Sequence, residues 1–148
     1  MLNQDDFFAD PYVFVGNLYS QAYIGGWNAA ERLGLLDEST RNITLFSPEK
    51  ISQKDIYGVN LQVQNMPKNL FFGTESVVTP FGEYVSSDLE KTIVDLALYP
   101  DMFGDKENRT SILKNYLQRD DKDLKKLQNY FQKSGRPELM VRLMKEAL

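Results

Sequence analysis

Three carboxylates in one short segment are the residues of this sequence best spaced to do chemistry. Asp88, Glu90 and Asp95 lie close together in the chain, and grouped carboxylates can bind a divalent metal or act as a general acid and base. On a helix, Asp88 and Asp95 share a face while Glu90 points elsewhere. Because no histidine or adjacent acidic run completes a ligand set, we interpret all three as structural and predict no catalytic, cofactor-binding or metal-binding residue.

Two structural roles are expected for these acids. Ser87 and Glu90 fit a Ser-x-x-Glu capping box, in which the serine caps an orphan amide and the glutamate reaches back. Asp95 stands among apolar neighbours, so its carboxylate needs a hydroxyl, an arginine or free backbone amides as a donor partner.

The composition excludes several classes of enzyme. The chain of 148 residues contains no histidine and no cysteine, which removes the usual zinc sites, the Ser-His-Asp triad, cysteine nucleophiles and thiol redox chemistry. A nuclease reading would need an acid and an (Asp/Glu)-x-Lys unit at strand ends. The unit Asp123-Leu124-Lys125 lies in a helical pattern, so we expect a protein that is not an enzyme.

Charge is distributed unevenly along the chain. Residues 1–100 carry 6 Lys and Arg against 13 Asp and Glu, whereas residues 101–148 carry 11 against 8. We predict a partner-binding surface in the positive region, with Lys125, Lys126 and Arg142 as its candidate residues. The alternative is an ordinary solvated helical face. The aromatic residues nearby, Tyr116 and Phe131 among them, have the spacing of a core face rather than of a stacking platform for RNA.

The only tryptophan follows a Gly-Gly step that leads into a helical pattern. Gly25 and Gly26 permit unusual backbone angles or a close approach of another segment, and Gly34 is typical of a helix C-terminus. The alternative is an anion site at this helix start. We favour a tight turn with Trp27 as a core anchor, because no lysine or arginine lies within five residues of the glycines.

The remaining pattern predicts an α/β (α+β) fold with a small mixed sheet flanked by helices and a C-terminal helical subregion. A helix is expected from Asp10, and strands at 43–46 and 57–64. Further apolar runs at 70–72, 77–78 and 84–85 can complete the sheet. Residues 87–148 read as four helices, with apolar stripes at Leu89, Ile93, Leu96, Ala97, at Ile112, Leu113, Tyr116, Leu117, at Leu124, Leu127, Phe131, and at Leu139, Leu143, Ala147.

Two segments resemble a known family. Residues 10–12 with 23–35 are similar to the Tyr-Ile-(Gly/Ser)-Gly-Trp…Gly-Leu segment of the AbiEi antitoxins, and residues 85–96, followed by Pro100 and Gly104, are similar to their Glu-Arg-Thr-Leu-Leu-Asp helix and Pro-x-x-x-Gly loop. The chain thus resembles one AbiEi C-terminal domain over 1–148, with an α/β part at 1–86 and a mainly helical part at 87–148.

The resemblance implies a non-enzymatic antitoxin of an abortive-infection toxin-antitoxin system, which opposes a nucleotidyltransferase-like toxin by contacting the toxin or its RNA target. AbiEi antitoxins also repress their own operon through an N-terminal winged helix. Only nine residues precede Asp10, too few for that module, so we expect no specific DNA binding by this chain. The alternatives are a transcriptional regulator fragment and an oligomerisation module. With no membrane-length apolar run and no signal-like start, the sequence predicts a soluble cytoplasmic protein without a membrane partner.

Overall fold

The computed structural model describes residues 3–147, which form seven α-helices and one six-stranded mixed sheet. The helices are α1 (Gln4–Ala9), α2 (Pro11–Leu18), α3 (Gly26–Arg32), α4 (Leu89–Leu98), α5 (Lys106–Leu117), α6 (Leu124–Lys133) and α7 (Glu138–Ala147). The strands are β1 (Tyr23–Ile24), β2 (Ile43–Ser47), β3 (Asp55–Ile56), β4 (Val59–Asn65), β5 (Thr74–Thr79) and β6 (Gly82–Ser87). The expected fold class is confirmed.

Strand β1 lies in the middle of the sheet although it has only two residues. The strand order is β3-β4-β2-β1-β6-β5. Strand β1 runs antiparallel to β2 and parallel to β6, where Ile24 pairs with Ser86. Strands β2 and β4 are parallel, while β3–β4 and β5–β6 are antiparallel hairpins. The sheet therefore depends on pairings between segments that are far apart in sequence.

Alternate residues of the central strands enter two different cores, as the period of a strand requires. Ile24 and Leu45 pack with α1 and α2, whereas Tyr23 and Phe46 pack with α3 and the helices from α4 to α7. The chain is thus a three-layer arrangement with helices on both faces of the sheet. The division expected after residue 86 falls at the end of β6.

Local signals set the start of α2 and the end of the α3 segment as expected. Asp10 caps α2 by accepting hydrogen bonds from the backbone amides of Tyr12 and Val13, and Pro11 takes the first helical position. Gly34 ends the α3 segment with a positive φ of 75°. Helix α1, which no sequence pattern predicted, begins with a capping box formed by Asn3 and Asp6.

Two of the expected strand segments differ in the structure. Tyr57 does not belong to a strand: it lies in the turn between β3 and β4 with a φ of 48°. The alternation of apolar and polar residues in the strand therefore begins at Val59, where β4 starts. The run at 70–72 is not a strand either, because a 3₁₀ turn at Lys68–Leu70 carries it into the core, where Leu70 and Phe72 are buried.

The helical last third follows its predicted stripes with one exception. Ile112, Leu113 and Tyr116 of α5 are buried, as are Leu139 and Leu143 of α7. On α6 the buried residues are Leu127 and Phe131, but Leu124 at the first turn is 44% exposed. Among residues 3–147, none of the helices has the length and apolar character to cross a membrane.

Candidate functional site

The carboxylates singled out in the sequence all belong to α4: Asp88 and Glu90 lie at its start, and Asp95 lies in its second half. Asp88, and not Ser87, is the N-cap: its side chain accepts the Lys91 backbone amide at 2.8 Å. The capping box predicted at Ser87 is therefore wrong, because Ser87 is still paired in β6. Asp88 also accepts the Tyr130 hydroxyl of α6 at 2.7 Å. Burial and this hydrogen bond raise the pKa of Tyr130 to about 12, so it remains a donor at neutral pH.

Glu90 does not reach back to the cap, since it is buried and turned toward the C-terminal helices. Its Oε2 accepts the Tyr116 hydroxyl of α5 at 3.0 Å and the backbone amide of Asp123, the N-cap of α6, at 3.0 Å. One carboxylate thus ties α4 to two later helices. A buried acid with these donors is satisfied within the protein.

Asp95 is fully buried and pairs with Lys91, one turn earlier on α4. The Lys91 Nζ lies 2.7 Å from Asp95 Oδ1, and the Tyr23 hydroxyl of β1 donates to Asp95 Oδ2 at 2.6 Å. Lys91 is also fully buried and lies 4.8 Å above the Phe72 ring centroid. Burial raises the pKa of Asp95 even though Lys91 acts in the opposite direction.

A hydroxyl partner for Asp95 was expected, and Tyr23 supplies it; the second partner is a lysine rather than an arginine. Asp88, Glu90 and Asp95 therefore all accept hydrogen bonds inside the protein and hold α4 against β1, α5 and α6. Within residues 3–147, no three His, Cys, Asp or Glu side chains are arranged to hold a metal ion.

The three candidate partner-binding residues lie in different environments. Lys126 lies 3.3 Å from Asp88 and 3.7 Å from Glu90, with its Nζ 5.5 Å from the Tyr130 ring centroid. Burial lowers the pKa of Lys126, but these acids and Tyr130 outweigh it and raise that pKa overall. Lys125 is exposed on α6, and Arg142 is exposed on α7. Lys126 thus screens the buried acids, while Lys125 and Arg142 face solvent.

Adjacent lysines of α6 provide a matched test of this difference. We expect Lys126→Glu to lower the free energy of unfolding by about 1 kcal/mol, because it replaces a partly exposed ion pair with a third carboxylate. Lys125→Glu should change it by less than about 0.5 kcal/mol. Urea titrations of both variants measure the difference, and equal losses would contradict the assignment of Lys126 to the acid cluster.

Arg142 lines a groove between α4, α5 and α7. The groove has a volume of about 580 Å³, and its floor is formed by Leu96, Leu113, Leu139 and Leu143, which are largely buried. Its rim carries the cations Lys106, Arg109 and Arg142 and one acid, Glu146. Arg142 pairs with Glu146 at 3.7 Å, but both side chains are largely exposed, at 75% and 62%, so this pair is weak and the arginine is accessible to a partner. Lys125 and Lys126 do not line this groove.

Sequence reasoning missed Lys106 and Arg109 as members of the same surface. The signal was present in a repeated spacing: the groove is lined by Lys106, Arg109, Thr110 and Leu113 of α5 and by Leu139, Arg142, Leu143 and Glu146 of α7. Each set follows the i, i+3, i+4, i+7 pattern of one helix face. Recognising the site required knowing that the two faces meet.

The fold is of the class in which helices cover both faces of a mixed sheet. It is similar to that of the Rv2827c protein from Mycobacterium tuberculosis, with a TM-score of 0.61 and 16% sequence identity. The match covers 95% of this chain and 59% of that chain, so this chain spans about three-fifths of that protein. At this identity the similarity concerns the fold alone. No protein-family model and no curated protein matches the sequence.

Proposed function

We propose that this chain is a non-enzymatic antitoxin domain of the AbiEi type, which opposes a nucleotidyltransferase-like toxin encoded beside it. The observation that carries the proposal is where the net-positive last third of the chain places its cations. Cations of the net-positive last third surround a groove with an apolar floor, whereas the acids that could have served catalysis are bound within the protein. The AbiEi character itself rests on the resemblance of residues 10–35 and 85–104.

The geometry favours an acidic protein surface over RNA as the partner. Binding of single-stranded RNA uses exposed aromatic rings on which bases stack. Here Tyr116 and Phe131 are fully buried, and the Tyr130 hydroxyl is held by Asp88. A cationic rim beside a leucine floor suits the acidic rim and apolar centre of a protein interface. The domain would act in the cytoplasm, beside the toxin.

The proposal predicts that charge reversal on this surface removes protection. The test coexpresses the chain with the product of its neighbouring nucleotidyltransferase-like gene and counts surviving colonies. In Lys106→Glu/Arg109→Glu/Arg142→Glu, which reverses the three cations of the groove rim, we expect affinity for the toxin to fall by at least about 100-fold and protection to be lost, because like charges then face each other.

The matched control is Lys50→Glu/Lys54→Glu/Lys114→Glu, which makes the same change in net charge at exposed lysines outside the groove. It should protect as well as the wild-type chain, and both variants should keep the wild-type unfolding midpoint. Full protection by the groove variant would refute the choice of surface. Failure of the wild-type chain to protect would refute the antitoxin proposal.

A further inference from the structure

Helix α4 is buried on every side, so apolar burial alone does not define its orientation. Its first eight residues, 89–96, are all at most 9% exposed, and they cover more than two helical turns. A helix with a single apolar stripe has one favourable rotation about its axis. The hydrophobic effect is non-directional, so a helix surrounded by protein has several rotations that bury nearly the same apolar area.

Polar side chains on two sides of α4 make contacts that are directional. Four of the eight residues are polar or charged: Glu90, Lys91, Thr92 and Asp95. Glu90 faces the C-terminal helices and accepts hydrogen bonds from α5 and from the start of α6. Lys91 and Asp95 lie roughly a third of a turn away around the helix. They face the sheet, where the Tyr23 hydroxyl lies 3.1 Å from Lys91 Nζ and 2.6 Å from Asp95 Oδ2.

A rotation of α4 by one residue would break these contacts. Such a step turns the helix by roughly 100°, which carries the Lys91 ammonium and the Asp95 carboxylate away from Tyr23. A buried charge that loses its partner is strongly destabilising, whereas an intact buried ion pair often adds no net stability relative to apolar side chains of similar volume. The polar groups therefore penalise wrong orientations of α4 more than they stabilise the correct one.

We propose that Lys91, Asp95 and Tyr23 fix the orientation of α4 against the sheet, so that they contribute a unique packing rather than net stability. Single buried polar residues have this role in coiled coils, where they select one register at a cost in stability. The orientation of α4 also shapes the groove, because Leu96 and Ala97 belong to its lining. The inference concerns the fold beside the groove and is independent of whether the groove binds a toxin.

The test replaces the whole cluster by apolar side chains, in Lys91→Met/Asp95→Leu/Tyr23→Phe. We expect the helical circular dichroism to remain, because cores repacked with apolar residues lose uniqueness before they lose stability. In the ¹⁵N–¹H NMR spectrum of this variant, the amides of α4 should broaden or give more than one resonance each, while those of α2 should give one. The number of resonances reports alternative packings, which a lower stability alone does not produce.

The matched control exchanges two apolar residues that pair across β2 and β4. Ile43→Leu/Leu61→Ile alters the other core at constant total volume and should keep one resonance for each amide. Tyr23→Phe is a milder variant, because Lys91 and Asp95 remain paired at 2.7 Å, so it should fold even where the cluster variant does not.

We expect Tyr23→Phe also to broaden or multiply the α4 resonances, because the ion pair then has no hydroxyl of the sheet to hold it. One sharp resonance for each α4 amide in the cluster variant would overturn the proposal. The same result in Tyr23→Phe would overturn it where the cluster variant is unfolded. Equal broadening of α4 in Ile43→Leu/Leu61→Ile would also overturn it, since any change in the core would then suffice.

Discussion

Replacing Lys91 by methionine is expected to lower the free energy of unfolding by about 3–5 kcal/mol, because it leaves the carboxylate of Asp95 buried without its cation. Both side chains are inaccessible to solvent, and their separation is 2.7 Å. Urea unfolding followed by linear extrapolation measures the loss. The matched control is Arg142→Met, which removes the cation of an exposed pair with the same i, i+4 spacing and should cost less than about 0.5 kcal/mol.

Removing the whole polar group should recover most of that loss. In Lys91→Met/Asp95→Leu/Tyr23→Phe, no buried charge and no unpartnered hydroxyl remains at the site, so we expect a stability within about 1–2 kcal/mol of the wild-type chain. A triple variant no more stable than Lys91→Met would contradict this explanation, because the loss would then not come from the unpartnered carboxylate of Asp95.

The cost of Lys91→Met should also depend on pH in a defined direction. Burial already raises the pKa of Asp95 in the folded chain, and loss of Lys91 removes an interaction that lowers it. A carboxyl group whose pKa is higher in the folded than in the unfolded state favours folding at low pH and loses this contribution as pH rises. The stability difference between Lys91→Met and the wild-type chain should therefore be smaller at pH 5 than at pH 8.

Gly26→Ala is the second substitution from which we expect a large effect. Gly26 has a φ of 57°, which costs an alanine about 1–2 kcal/mol. A Cβ built there would lie 2.7 Å from the Met102 carbonyl oxygen and 3.0 Å from Thr44 Oγ1, and such overpacking adds about 1–3 kcal/mol. The total expected loss of unfolding free energy is about 2–5 kcal/mol.

Gly135 isolates the contribution of the backbone angle. Its φ is 78°, and nothing lies within 4 Å of a Cβ built there. Gly135→Ala should therefore cost only the conformational part, about 1–2 kcal/mol. Equal losses at the two positions, measured by urea unfolding, would contradict the close approach of the 3₁₀ turn at Pro100–Phe103 to Gly26.

The features predicted correctly from the sequence are those that depend on local signals. Asp10 and Pro11 specify the start of α2 through contacts at most three residues away in the chain. The spacing of apolar residues in α5 and α7 identifies the buried faces of these helices. Strand β1 could not be found this way. A strand of two residues is too short to show an alternating pattern. Tyr23 and Ile24 are extended because β2 and β6 pair with them.

The candidate site shows the same limit. The apolar neighbours of Asp95 indicated that its carboxylate would need a partner, but a lysine and an aspartate four residues apart usually mark an exposed helix face. The burial of Lys91 therefore follows only from the packing of α4 between the sheet and the later helices. Glu90 looked like a local cap, but its partners are 26 and 33 residues away. Arg142 was identified from charge alone, whereas Lys106 and Arg109 required the packing of α5 beside α7.

The central position of β1 has a consequence for how the chain acquires its fold. Its pairing with β6 joins Ile24 to Ser86, so a loop of about 60 residues must close before the middle of the sheet exists. Pairings over such separations form slowly, whereas helices α5 to α7 are neighbours along the chain and their contacts are more local. During synthesis, β1 lacks one of its two neighbours until β6 emerges. The early strands are thus the part of a nascent chain most dependent on protection from aggregation.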